Sequence, residues 1–325
     1  MSGVRRWGWS LVLGGVFASS RTHADSSEVS PQVAYAYGEI EPPRSLALGG
    51  ALHATASGST SVFLNPATLN NARLYHIEGI FNGAPEVSRK TYGGVISDSQ
   101  TGRLAGGVAF FGSSVDATGL DRSALDGRVA LAYPFGDRLS VGIAGRYARV
   151  TQHGLGPFGD SKVSGGLRDS GGKPSPFVNA ITVDAGVVLR ATDALYMAAF
   201  GHGLTHPNHS LLPTTLGGAI GLSSRDLTVE VDGLADLTSF RRTTSRFMGG
   251  IEYLAADRFP LRAGYRYEQG ADMHWVSGGI GFLGRELGIE ASVRRAIEPP
   301  ATIVAFSLAY FMESSTLGSR TLGEF

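Results

Sequence analysis

Of 325 residues, 46 are glycine, roughly twice ordinary usage, whereas charged residues make up only 17%. Twenty-eight basic residues balance 28 acidic ones, and cysteine is absent. These numbers exclude a disulfide scaffold, a thiolate metal centre, a collagen repeat and a nucleic-acid binder that works by bulk charge, while 42% hydrophobic content argues against disorder.

In chain order, Arg5 and Arg6 precede an apolar run from Trp7 to Ala18, followed by small and polar residues through Thr22-His23-Ala24. A charged, then apolar, then small-residue order reads as a secretory signal peptide over residues 1–24. The run is too short to cross a bilayer. Residues 25–73 come next and precede any strand. Leu46 to Ala56 is small and apolar enough to pack inside a tube, and Asn65-Pro66 is a chain-turning pair. This stretch reads as an N-terminal plug.

From 74 to 311 the chain alternates apolar with small or polar residues. Leu139, Val141, Ile143 and Tyr147 oppose Ser140, Gly142, Ala144 and Arg146. Leu261, Ala263, Tyr265 and Tyr267 oppose Arg262, Gly264, Arg266 and Glu268. A period of two is the strand signal. About fourteen strands are predicted, starting near Tyr75, Lys90, Leu104, Leu125, Arg138, Val178, Leu195, Thr215, Asp226, Ser245, Pro260, His274, Glu286 and Thr302. Short turns such as Phe135-Gly136-Asp137 alternate with mostly longer connections, the longest from about Thr151 to Phe177. An outer-membrane barrel keeps its short turns on the periplasmic side and its long loops outside. The apolar face carries Tyr133, Tyr147, Tyr253, Tyr267, Phe282 and Tyr310, as an interfacial aromatic girdle requires. The opposite face carries lumen charges, among them Arg146, Arg262, Arg266, Glu230 and Glu252. Phe306, Leu308 and Tyr310 form the face that the barrel-assembly machinery would recognise, and residues 312–325 read as a periplasmic tail.

Motifs for chemistry are weak. His202, His206 and His209 cluster near one loop, but metal binding needs converging imidazoles and usually a carboxylate, so they read as solvated polar residues. Gly278-Gly279-Ile280-Gly281 lies on a strand with no helix after it, which speaks against a dinucleotide loop, and Gly171-Gly172-Lys173 lacks the rest of a phosphate loop. No serine lies in a nucleophile elbow. No enzymatic activity, metal or cofactor is expected, and no nucleic-acid partner.

Arg44, Gly49, Gly50 and Ala51, followed by Phe63, Asn65, Pro66, Ala67 and Leu69, make a pattern that resembles the hatch of the FadL family of outer-membrane transporters for long-chain fatty acids and other hydrophobic compounds. The resemblance is close over residues 44–69 and rests elsewhere on strand number. It implies an all-β fold, an antiparallel transmembrane barrel of about 14 strands with the plug in its lumen. It also implies that a hydrophobic ligand is captured outside and passes through a plug rearrangement or a lateral gap in the wall; no energy source is encoded, so passive, plug-gated diffusion is expected. The expected substrate and plug residues are Arg44, Leu46, Leu48, Phe63, Asn65, Pro66 and Ala67. Gly106 and Gly107, on the third strand, are expected as a wall kink. The expected partners are a hydrophobic small molecule, outer-membrane lipid and the assembly machinery. A structural or secretion-associated barrel that binds protein partners is the alternative.

Overall fold

A computed structural model describes residues 40–115, 121–152, 178–206, 212–240, 242–297 and 301–312. The expected signal peptide (1–24), the first part of the expected plug (25–39), His209, Gly171 to Lys173 and residues 313–325 of the expected tail lie outside the described residues.

Fourteen strands follow one another. The first seven are β1 (Tyr75–Ala84), β2 (Arg89–Asp98), β3 (Ala105–Val115), β4 (Arg122–Phe135), β5 (Leu139–Gln152), β6 (Val178–Arg190) and β7 (Leu195–His202). The others are β8 (Thr215–Ser223), β9 (Leu227–Asp236), β10 (Thr244–Ala255), β11 (Phe259–Glu268), β12 (Met273–Leu283), β13 (Leu287–Ala296) and β14 (Thr302–Met312). Every predicted start falls within three residues of an observed one. Sequential strands pair antiparallel, and β1 closes on β14 from Tyr75↔Met312 to Gly83↔Val304. Closure removes the unpaired edges that an open sheet would leave. The last strand ends at Met312, one residue later than its alternation indicates.

Alternation sorts the side chains by face. On β5, Leu139, Val141, Ile143 and Tyr147 are exposed on the outside, while Ser140, Gly142 and Ala144 are buried. The same sorting puts Ile181, Ile220, Val231, Ile280 and Leu308 on an apolar outer belt. Such a surface is stable against hydrocarbon and costly against water. No helix among the described residues is long and apolar enough to cross a membrane, so the strands alone carry this belt.

The two ends of the barrel differ. At one end the turns are short, as at 136–138, 224–226, 256–258 and 284–286. Ala256 and Asp257 both have positive φ, and Arg258 N–H donates to the Ala255 carbonyl at 3.1 Å, the primed turn whose twist matches flanking strands. Connections at the other end include the long 153–177 and 203–214, but 85–88 and 269–272 are as short as the turns opposite. Length alternation is therefore less regular than the sequence indicates. Exposed Tyr133, Tyr253, Phe282 and Tyr310 ring the turn end, joined by Phe135 and Phe259. Tyr147 lies toward the loop end, as does half-buried Tyr267, whose ring stacks on His274. The rings thus form a belt at the turn end rather than one girdle from all six.

Candidate functional site

The stretch before β1 is enclosed by the barrel. From Ile40 to Leu69 every residue is buried except the half-buried Arg44 and Ser57. It starts near the loop end, where Asn82 donates to the Glu41 carbonyl at 2.9 Å, and finishes at the turn end, where Asn70 reaches Ser140 at 2.8 Å.

A single-turn helix α1 (Pro43–Ala47) opens the segment. Proline at its first position presets φ and gives up an N–H that would have no helical partner there. Gly49 and Gly50, at φ +69° and +91°, end the turn in the left-handed region, and Gly50 N–H donates back to Ser45 at 2.9 Å. Leu46 packs on Met273, Trp275, Ile303 and Ala305 of the wall. Leu48 joins a second cluster with Leu52, Val62, Phe63 and Phe111.

Arginine–carboxylate pairs tie the segment to one side of the wall. Arg44 grips Glu252 with two donors, at 3.1 and 2.8 Å, a bidentate pair. Glu252 also accepts from Arg262 at 2.5 Å, and Arg262 continues to Glu290 at 2.6 Å. Nearer the loop end, Glu41 of the segment receives both Arg266 and Arg294 at 2.6 Å. Arg266 also donates to the Gly49 carbonyl at 2.9 Å.

Carboxylates of β9 hold the segment on another side. Glu230 accepts from the Ala54 and Thr55 backbone N–H at 2.7 and 2.9 Å, and from the Thr55 hydroxyl. Asp232 accepts from the His53 backbone at 3.3 Å and sits 2.6 Å from His53 Nδ1. The His53 ring stacks on Phe200, centroids 3.8 Å apart. Burial, with His202 alongside, holds the His53 imidazole far below its ordinary 6.5, at about 3.

Asn65 makes the turn that its sequence position requires. Its side chain accepts from Ala67 N–H at 3.1 Å and donates to the His53 carbonyl at 2.7 Å. It thus bonds both its own turn and the neighbouring pass of the segment. Phe63 packs edge-on against Phe111 and lies under the Arg128 guanidinium, 4.9 Å from the ring centre.

Glycine explains how closely the two parts fit. A Cβ added at Gly142 would strike Pro66 and Ala67, and one at Gly186 would strike Asn65. Added at Gly264 it would meet the Leu48–Gly49 backbone, at Gly279 Ala47 (2.6 Å), at Gly250 Leu48 (2.7 Å), and at Gly107 Val62 and Gly221 Thr55 (each 2.5 Å). Seven strands thus approach the segment through glycine, the close-contact use of this residue in a strand.

Two cavities lie on either side of the segment. One, about 80 Å³, faces the loop end between Leu64, Arg128, Arg146, Thr182, His202 and Leu212. The other, about 240 Å³, faces the turn end between Arg44, Ser59, His76, Thr228, Arg262 and Phe311.

The plug and lumen residues expected from the sequence are therefore located. Arg44, Leu46, Leu48, Phe63, Asn65, Pro66 and Ala67 lie in the segment; Arg146, Arg262, Arg266, Glu230 and Glu252 face it or its cavities. Arg146 pairs with Asp126 at 2.6 Å, and Arg262 is engaged on both sides by Glu252 and Glu290. Gly106 and Gly107 pair without interruption to β2 and β4, and Gly107 faces Val62. Among the described residues no three potential metal ligands converge; His202 contacts Asp184 at 3.4 Å and His206 contacts Thr214 at 3.2 Å. Glu41 and His53 escaped sequence reading, because each finds its partner on an element far away in the chain; Asp232 is legible as an inner-face charge of its strand but not as the partner of His53. The one available signal was that Glu230 and Asp232 share the inner face of a strand.

No protein-family profile and no curated protein sequence matches this chain. Solved structures do. The monoaromatic hydrocarbon channel CymD superposes with a TM-score of 0.64 at 17% identity, covering 84% of this chain and 97% of that one. The fold is that of the FadL-like channels. The Ralstonia pickettii toluene transporter TbuX gives 0.59 at 16% identity, covering 84% and 98%. A Pseudomonas aeruginosa FadL homologue gives 0.58 at 13%, covering 83% and 98%. These identities bear on architecture alone; the hatch pattern at Arg44 to Leu69 and the FadL-like barrel now coincide in one chain.

Proposed function

We propose that this protein is a bacterial outer-membrane channel that passes hydrophobic small molecules by passive diffusion, with residues 25–73 as a plug whose movement gates the lumen. The carrying observation is the pair of cavities on opposite faces of the enclosed segment, inside a closed barrel with an apolar outer belt. A conduit interrupted by a removable partition has this arrangement. The turn end is assigned to the periplasm and the loop end to the exterior, as short turns and long loops are placed in such barrels. Export by a signal peptide at residues 1–24 and a periplasmic tail after the barrel belong to the same reading. Exposed Phe306, Leu308 and Tyr310 on the last strand supply the apolar face offered to the assembly machinery.

The cargo class is apolar, long-chain fatty acids or small aromatic compounds. No energy source is encoded, so flux follows the gradient. The barrel acts as a channel rather than as an enzyme. Uptake of a labelled fatty acid and of labelled toluene is compared in wild-type and deletion cells. Slower uptake of either in the deletion strain supports the reading, and equal uptake of both overturns it. Mass spectrometry of ligands retained by the purified protein separates a channel, with lipid or aromatic solute bound, from a structural barrel with co-purifying protein.

A further inference from the structure

Among the described residues, the turn end carries seven arginines and no lysine. Five of the arginines are engaged. Arg73 donates to the Ser99 and Gly102 carbonyls at 3.0 and 2.6 Å, and Arg138 to the Ala191 carbonyl at 3.1 Å. Arg103 lies over Tyr133 and Arg190 over Tyr196, 5.8 and 5.9 Å from the ring centres. Arg225 bonds Asp257 of another turn at 3.1 Å. The remaining two, Arg258 and Arg285, are exposed, and their side chains make no hydrogen bond, ion pair or ring contact with any described residue.

These two belong to adjacent turns. Leu283 N–H donates to the Arg258 carbonyl at 2.7 Å, which joins the 256–258 turn to the strand end that leads into the 284–286 turn. Just inside the turns, Phe259 and Phe282 meet across β11 and β12, ring centroids 5.5 Å apart, and both are exposed on the outer face. Leu261, Ile280, Leu287 and Ile289 continue that face as an exposed apolar strip. Charge does not cancel at this spot. Asp257, the acid beside Arg258, is taken by Arg225, so Glu286 alone stands against two guanidiniums and leaves an excess of one positive charge. An arginine fork matches phosphate oxygens in geometry, and its stem covers apolar surface while its head stays at the interface. Exposed aromatic rings mark the depth of the headgroups.

A ligand suited to this place carries one net negative charge at headgroup depth and hydrocarbon directly below it. We propose that Arg258 and Arg285, above the Phe259–Phe282 pair, form a binding site for one anionic phospholipid, its phosphodiester held by the two guanidiniums and its acyl chains lying on the apolar strip. A zwitterionic phospholipid would leave the excess positive charge uncompensated, whereas a lipid of net charge minus one cancels it. The inference rests on the reading that the outer belt faces a bilayer, and not on what crosses the lumen.

The test uses the purified full-length chain, with each variant first checked for the folded-barrel migration in unheated SDS gels. Native mass spectrometry measures the lipid retained from micelles that hold equal amounts of dioleoyl phosphatidylglycerol and dioleoyl phosphatidylethanolamine. Each arginine near an anionic headgroup contributes a factor of roughly five, so wild type is expected to prefer phosphatidylglycerol by about tenfold or more. Arg258→Gln and Arg285→Gln are each expected to cut that preference about fivefold, and the double variant to bring it near parity. Glu286→Gln is expected to raise it. Arg138→Gln and Arg190→Gln, which change arginines already engaged, are expected to leave it as in wild type. Equal retention of the two lipids by wild type overturns the proposal. A preference that survives in the double variant, or that falls as much in Arg138→Gln, does so too. Flotation with phosphatidylcholine vesicles separates this site from the reading beneath it. A chain that floats without headgroup preference loses the site and keeps the membrane reading, and a folded chain that does not float loses both.

Discussion

Replacing Glu230 with alanine tests how the enclosed segment is held. Glu230 is 1% exposed and accepts three hydrogen bonds from the segment, two from the Ala54 and Thr55 backbone and one from the Thr55 hydroxyl. Truncation leaves those donors buried without an acceptor. Each orphaned donor costs about 1–3 kcal/mol. The low end is appropriate, because removing the carboxylate also removes the cost of burying it, and three donors then give about 3 kcal/mol. At 1.4 kcal/mol per decade, the population with this stretch detached rises on the order of 100-fold. Amide exchange at Ala54 and Thr55 should accelerate by that factor, read by hydrogen–deuterium exchange with peptide-level mass spectrometry. Amides of the β4–β5 ladder, far from Glu230, serve as the internal reference and should not change. Glu230→Gln, which keeps one acceptor oxygen, should show a smaller acceleration, about tenfold. If Glu230→Ala leaves exchange at Ala54 and Thr55 unchanged in a folded barrel, the carboxylate does not hold the segment.

Three further outcomes follow from the same geometry. Gly186→Ala drives a methyl into Asn65 and should lower the thermal midpoint clearly, whereas Gly145→Ala, with nothing within 4 Å of the added carbon, should be neutral in the same melt. Arg44→Ala removes the bidentate hold on Glu252 and should raise both ion conductance in planar bilayers and cell sensitivity to polar antibiotics; conductance equal to wild type counts against Arg44 as a latch. His53 is held neutral in the fold while an unfolded histidine titrates near 6.5, so protons bind the released form preferentially. Its stabilising contribution is complete above pH 6.5 and falls by about 1.4 kcal/mol per unit as the pH drops toward 3. Exchange at residues 53–55 should therefore quicken between pH 6.5 and 4.5, and His53→Phe should flatten that dependence.

Much of this architecture is written in local pattern. A strand with one face to lipid and one to the lumen shows its period in every few residues, which is why Leu139 to Tyr147 and Leu261 to Glu268 read correctly as two-faced strands. The Asn65-Pro66 turn is equally local, since Asn65 bonds Ala67 two residues on. Other features depend on which distant residues meet. Nothing near His53 announces Asp232, and nothing near Gly186 announces Asn65; both contacts exist because the barrel closes and the segment winds past each strand in turn. Glycine count was visible, and so was its general use in letting a segment approach the wall, but not which glycine admits which atom, because a missing Cβ has a definite meaning only once the atom that takes its place is known. Connection length misled for a similar reason: the four residues 269–272 turn tightly at the loop end, and only the pairing of β11 with β12 shows which end they occupy.

The seven close approaches through glycine constrain how the molecule is made. Segment backbone meets the wall with no clearance at Gly142 and Gly264, as the Asn65 side chain does at Gly186, and the segment runs without a break into β1, the strand that seals against β14. A piece that fits its container this tightly on so many sides cannot be threaded into a finished tube. The wall must roll up around it, with the seam between first and last strands zipping after the segment is in position. Order of assembly is thus set by fit: the part that the lumen encloses also serves as the form on which the lumen is cast.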